Sequence, residues 1–172
     1  MKIIFTSITI VLLLSISLNI PLITSAEEEK GMEPKAAESG MILITESDIT
    51  WGDVPPALPT GAKIAVLEGD PFKPEPYSLR LMMPANYEIP AHWHTMIERV
   101  TVLSGTLNVG MGDKLDKTQG KAFTAGGFVF FPAKMNHYAW AGEDTIIQIN
   151  GDGPWDINYI NPADDPRNKN KN

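Results

Sequence analysis

From Ala62 onward the chain is a succession of short apolar runs. These are "KIAVLE", "YSLRLMMP", "HWHTMIERVTVLSG", "TLNVGMG", "GGFVFFP", "HYAWAG", "TIIQING" and "WDINYI". They are rich in Val, Ile, Phe and Tyr, which suit a pleated, half-buried surface, and Gly, Pro, Asn and Asp close each one with a turn. No stretch carries helical periodicity. The pattern argues against alternating β and α units and for an all-β sandwich or barrel. Ahead of it, "ESDITWGDVPPALPTG" has room for one short helical turn before the prolines stop it.

The ends of the chain read differently. Residues 1–26, "MKIIFTSITIVLLLSISLNIPLITSA", carry one early lysine, a long apolar run and a small-residue ending. That is the form of a secretory signal peptide cleaved after Ala26. An uncleaved anchor is the rival reading, and the interrupting Ser, Thr and Pro21 count against it. Residues 27–45 read as a flexible linker, 46–165 as the folded domain, and 166–172, polar throughout, as a disordered tail. The expected location is periplasmic or secreted, with no stable membrane span after cleavage. The chain has no cysteine, so an exported domain of this kind depends on its core, a metal or a partner rather than on disulfides. Its net charge of −7 makes it a poor nucleic-acid binder, because phosphate contacts need clustered Lys and Arg.

The whole chain holds three histidines. Two of them, His92 and His94, stand close together with Glu98 just beyond, and the third, His137, lies far downstream in "FPAKMNHYAW". On one extended strand, side chains alternate faces with a period of two. His92, His94 and Glu98 would then share a face, followed in phase by Val100 and Val102, with Trp93, Thr95 and Ile97 on the other. Neutral imidazoles suit Fe, Mn, Zn, Ni and Cu, and a carboxylate adds a hard oxygen donor. A divalent ion held by three His and one Glu would keep a net charge near +1 and favour anionic, chelating ligands. Taken alone, the HxH pair reads equally as two polar positions on a strand face.

The wider pattern resembles the cupin superfamily. His92, His94, Glu98 and Gly105 match the first cupin motif, and Gly126, Pro132 and His137 match the second. The resemblance runs from about Ala62 to Asn161 and, within the superfamily, is greatest to small single-domain cupins similar to the ChrR-like group. It implies a double-stranded β-helix, or jelly roll, with His92, His94, Glu98 and His137 as ligands of one divalent transition metal. The motif departs at Asn86 and Lys134, which stand where glycine is usual, and at Ala141, which replaces an Asn. Asn tolerates a left-handed backbone better than other non-Gly residues, so a turn at Asn86 survives.

Other features take ordinary readings. Gly110 and Gly112 mark a β-turn, not a nucleotide loop, since no helix pattern follows. Trp93, Trp140 and Trp155 read as core or interface residues. Leu79, Leu81 and Met83 share a face expected to line the barrel near the metal, and Phe128 and Phe130 are expected to do the same. Lys63, Arg80 and Arg99 read as solvated strand positions, and Gln148 as a hydrogen-bonding candidate for a ligand. No Ser-His-Asp arrangement is available, because every histidine is already used.

The resemblance implies a metal-dependent oxidoreductase of dioxygenase type acting on a small chelating substrate. The alternative is a non-catalytic small-molecule-binding or sensor protein whose metal holds a ligand or stabilises the barrel. It also implies a homodimer, which would cover exposed sheet edges. Native mass spectrometry of protein from its own cell tests export and pairing together. The expected mass is that of two chains, each beginning at Glu27. A mass that includes residues 1–26 contradicts export, and a single chain contradicts pairing.

Overall fold

The computed structural model describes residues 40–169. The leader and most of the linker lie outside the described residues, as do residues 170–172. Residues 40–45 have no regular structure, and a single 3-10 turn at Glu46–Asp48 precedes the prolines, as the sequence indicated.

Eleven strands follow: β1 (Gly52–Asp53), β2 (Lys63–Glu68), β3 (Pro76–Met83), β4 (Glu88–Trp93), β5 (Glu98–Ser104), β6 (Thr106–Met111), β7 (Lys121–Thr124), β8 (Phe128–Phe131), β9 (His137–Ala141), β10 (Thr145–Asp152) and β11 (Asn158–Tyr159). They form a six-stranded sheet, β1-β2-β3-β10-β5-β8, and a five-stranded sheet, β11-β4-β9-β6-β7. All pairings are antiparallel. The chain passes back and forth between the sheets, which is jelly-roll connectivity.

Alternation along the strands builds the core. In β3, Tyr77, Leu79, Leu81 and Met83 are buried while Ser78, Arg80 and Met82 are partly exposed. Leu79 and Met83 have no solvent exposure. Ile147 and Ile149 of β10 and Val100 and Val102 of β5 meet them from neighbouring strands. A smaller cluster of Ala91, Tyr138 and Trp140 is separate from this core. Gly110 lies beside it and is not a turn residue: it is within β6, where a Cβ would come within 2.2 Å of the Tyr138 ring.

Three expectations are corrected. First, "HWHTMIERVTVLSG" is not one strand. β4 ends at Trp93, the chain turns over residues 94–97, and β5 begins at Glu98 in the other sheet. A period of two cannot be carried across that turn, so His92, His94 and Glu98 do not share a strand face. Second, Phe128 and Phe130 do not line the barrel. They are 56% and 47% exposed, because β8 pairs with β5 so that Val129 and Phe131 face inward. Third, the first residues of the expected disordered tail form a short helix, α1 (Pro166–Lys169). Arg167 fastens it, donating to the Asp165 carboxylate at 2.8 Å and to the Ile157 carbonyl at 3.0 Å.

Candidate metal centre

Backbone irregularities aim the site. Ile89 of β4 pairs with Ala139 of β9, and His92 pairs with His137. β4 therefore spends three steps where β9 spends two, the signature of a β-bulge. The extra residue restarts the alternation. Ala91 packs with Tyr138 and Trp140 in the small cluster, while Ile89 and His92 both line the central chamber. Asn86 and Lys134 take left-handed backbone angles, φ 63° and 62°, as the motif's missing glycines would. Lys134 uses this turn to donate its backbone N–H to the His94 carbonyl at 2.8 Å, tying the loop before His137 to the loop that carries His94.

The three imidazoles converge. Each offers a nitrogen within 4.8 Å of the others, and all three residues are buried. Ring centroids lie 4.2 Å apart for His92 and His137, 4.9 Å for His92 and His94, and 5.1 Å for His94 and His137. Phe131 stacks on His137 at 3.9 Å. Glu98, 5% exposed, stands outside that trio of nitrogens and beside it, with Oε2 3.5 Å from His94 Nε2.

Hydrogen bonds fix the protonation pattern. The Nδ1–H of His92 donates to the Pro90 carbonyl at 2.7 Å, that of His94 to the Asp156 carbonyl at 2.5 Å, and that of His137 to the Met135 carbonyl at 2.9 Å. A carbonyl only accepts, so each Nδ1 carries a proton, and a ring in its neutral form presents its Nε2 lone pair to the others. Such outer hydrogen bonds hold imidazole ligands in register. Asp156 also holds the His94 turn through its carboxylate, which accepts from the Thr95 N–H at 2.8 Å and hydroxyl at 2.5 Å. Partial burial pushes the Asp156 carboxyl up, but the bonds from Thr95 and Asn158 outweigh it and hold it below the usual range.

This arrangement leaves one conflict. The Nε2 of His94 is buried without a hydrogen-bond partner. It faces a buried carboxylate whose other oxygen, Oε1, accepts from the Trp155 indole N–H at 3.0 Å. Among the described residues, no Lys or Arg lines the chamber. With the His94 ring neutral these are two acceptors, which repel in low dielectric unless a proton or a metal ion lies between them. The donor set therefore fits a divalent transition metal, with imidazole nitrogens and one carboxylate oxygen.

The remaining wall is apolar. Leu81, Val100, Ile147 and Ile149 close a chamber of about 30 Å³. At roughly 10–15 Å³ for one water, this admits about two water-sized groups. Gln148 is not part of it. Its side chain is on the outer face of β10 and accepts from Arg80 Nε at 3.3 Å. Arg80 is thus paired rather than simply solvated. Trp155 and Phe131 are site residues that sequence reasoning did not assign.

Burial is the main force lowering the imidazole pKa values. It drives His92 well below 6.5, helped by His137 and His94 and opposed by the Pro90 carbonyl. It lowers His137 from 6.5 to about 4, helped by His94 and opposed by Glu98 and the Met135 carbonyl. Between those two values the unfolded chain binds more protons than the folded one, so stability rises with pH and is lost as the pH drops from 6.5 towards 4. Metal-free protein is expected to lose on the order of 3 kcal/mol from His137 alone between pH 6.5 and 4. Denaturant unfolding across that range tests it, and unchanged stability would contradict buried, neutral imidazoles.

Known proteins agree with this architecture. No curated protein matches the chain. Among solved structures, the polyketide cyclase RemF from Streptomyces resistomycificus is 14% identical, with a TM-score of 0.61 over 74% of this chain and 90% of that one. A proposed acetylacetone dioxygenase from Methylibium petroleiphilum PM1 is 17% identical, with a TM-score of 0.55 over 72% and 83%. An RmlC-like cupin from Shewanella frigidimarina is 19% identical, with a TM-score of 0.51 over 65% and 90%. At these identities the likeness establishes the fold, which is that of a cupin jelly roll. Residues 20–158 match the family described as "Domain of unknown function (DUF4437)", and the chain belongs to that family.

Proposed function

We propose that the protein is an exported cupin metalloprotein that binds one divalent ion through His92, His94, Glu98 and His137. The observation that carries this reading is the buried His94 Nε2, without a hydrogen-bond partner among the described residues, 3.5 Å from the Glu98 carboxylate and within 4.8 Å of nitrogens of His92 and His137. A divalent ion held there would supply positive charge and open positions for a small donor ligand. The chain's own residues do the rest. Pro90, Met135 and Asp156 hold the imidazoles in one tautomer, and the apolar wall excludes bulk water.

For the reaction, we propose a metal-dependent oxidoreductase of dioxygenase type acting on a small chelating substrate. The proposed activity of the Methylibium structure supports that class by analogy of fold alone. One observation favours the second reading, a non-catalytic binding or sensor protein. Among the described residues, the four proposed ligands and Trp155 are the polar side chains lining the chamber, so none of the others offers a separate general acid or base there. The sequence and the site leave Fe, Mn, Zn, Ni and Cu as candidates.

Export and a homodimer are proposed alongside, both decided by the native mass. Phe128 and Phe130, exposed on the edge strand β8, support pairing.

His137→Ala tests the centre. Its metal affinity is expected to fall at least 10- to 100-fold, the usual cost of disturbing even an outer partner of a ligand, with the circular dichroism spectrum retained. Trp93→Phe is expected to keep full metal content. Oxygen uptake by the loaded wild type, over a panel of diketones, flavonols and thiols, separates the two readings. Uptake that disappears in His137→Ala supports the enzyme. Full metal occupancy in folded His137→Ala would contradict the shared centre.

A further inference from the structure

A second cavity, of about 230 Å³, lies against the metal chamber. Leu58, Trp155 and Ile157 line both, so these side chains form the wall between them. The outer cavity is otherwise bounded by Pro55, Ala57 and Phe72, with Asp156 and Arg167 at its polar side. The charges there are already matched: Arg167 bonds both Asp165 oxygens at 2.8 Å, and Asp156 accepts from Thr95. The cavity therefore selects by apolar contact rather than by charge.

The two spaces are unequal in a useful way. The chamber has room for a donor head and little more. The outer cavity, somewhat below the roughly 300–1,000 Å³ of drug-sized pockets, has room for a single-ring body. Trp155 stands between them on a backbone fastened at both sides. Its own N–H donates to the Pro71 carbonyl at 2.6 Å, the Gly153 N–H donates to the Glu75 carbonyl at 2.9 Å, and the Asp156 carbonyl accepts from His94. The indole is held by its bond to Glu98, which a group passing from one space to the other would have to break.

We propose that the outer cavity is the binding site for the apolar, single-ring body of a small anionic ligand, whose carboxylate-type head passes Trp155 to reach the ion. This rests on the metal centre proposed above. Among the described residues no Lys or Arg lines the chamber, so the ion is the partner for a negative head, and its net charge near +1 favours one. The apolar body is held by Phe72, Ala57, Pro55 and the shared wall.

Acetate and phenylacetate, titrated calorimetrically into the zinc-loaded full chain, separate head from body. Phenylacetate is expected to bind roughly 10- to 100-fold tighter than acetate, the increment for burying one ring. Ala57→Trp fills the outer cavity and should abolish that increment while leaving zinc content and acetate binding unchanged. Phe72→Ala removes an exposed wall residue, with little risk to folding, and should reduce the increment. Phenylacetate should also change the indole emission of wild type, and this change should be lost in Trp155→Phe. Zinc content is read before any ligand is added. A wild type that holds no zinc removes the metal centre and this inference with it. Zinc-loaded wild type with equal affinities for the two acids, or an increment unchanged in both cavity variants, overturns this inference alone.

Discussion

Two buried acceptors facing each other, the His94 Nε2 and the Glu98 carboxylate, set the terms for the rest of this molecule. In water the pair would be trivial. Beneath the barrel wall it is costly, because a neutral His94 has one N–H and donates it to the Asp156 carbonyl, which leaves a lone pair facing the carboxylate. His92 and His137 add lone pairs to the same space and, kept neutral by burial, no charge. The three imidazoles and the carboxylate together form a site that could hold a metal ion. An apolar residue in place of any member would pack more easily, so the cluster is costly to the fold unless it binds something.

Much of the surrounding backbone serves that convergence. The bulge between Ile89 and His92 turns His92 inward, and the turn at residues 94–97 passes the chain to the second sheet so that Glu98 approaches from across the barrel. The left-handed Lys134 bonds the His94 carbonyl and brings the start of β9 alongside. Candidate ligands from both sheets thus meet at one place in the jelly roll. Metal loading is therefore expected to stabilise the fold as well as to equip it, since binding to the folded state alone shifts the unfolding equilibrium.

The strands were legible where one face is apolar and the other is not. "KIAVLE" is β2 as written, and β3 differs from "YSLRLMMP" only by beginning and ending one residue earlier, at Pro76 and Met83. β7 escaped notice because it is a short edge strand with only Phe123 partly buried, which leaves no alternation to read. The three histidines were legible from motif spacing, although the geometric reason first given for them was not the right one. Period-two reasoning assumes one unbroken strand, and here a bulge and a turn re-aim each ligand separately. Phe128 and Phe130 were misplaced for a related reason. In "FVFF" both phases are apolar, so only pairing with β5 reveals that Val129 and Phe131 face the core. Trp155 was visible in "GPWD", but nothing local marks a tryptophan that donates to a carboxylate 57 positions away. The backbone carbonyls of Pro90, Met135 and Asp156 have no sequence signature at all.

X-ray absorption at the metal edge, on protein purified from its native compartment, tests the shared centre most directly. The account predicts one ion per chain, with three imidazoles and at least one oxygen donor at roughly 2.0–2.2 Å. Fewer than three imidazoles around the ion, or native protein carrying no transition metal, would contradict it.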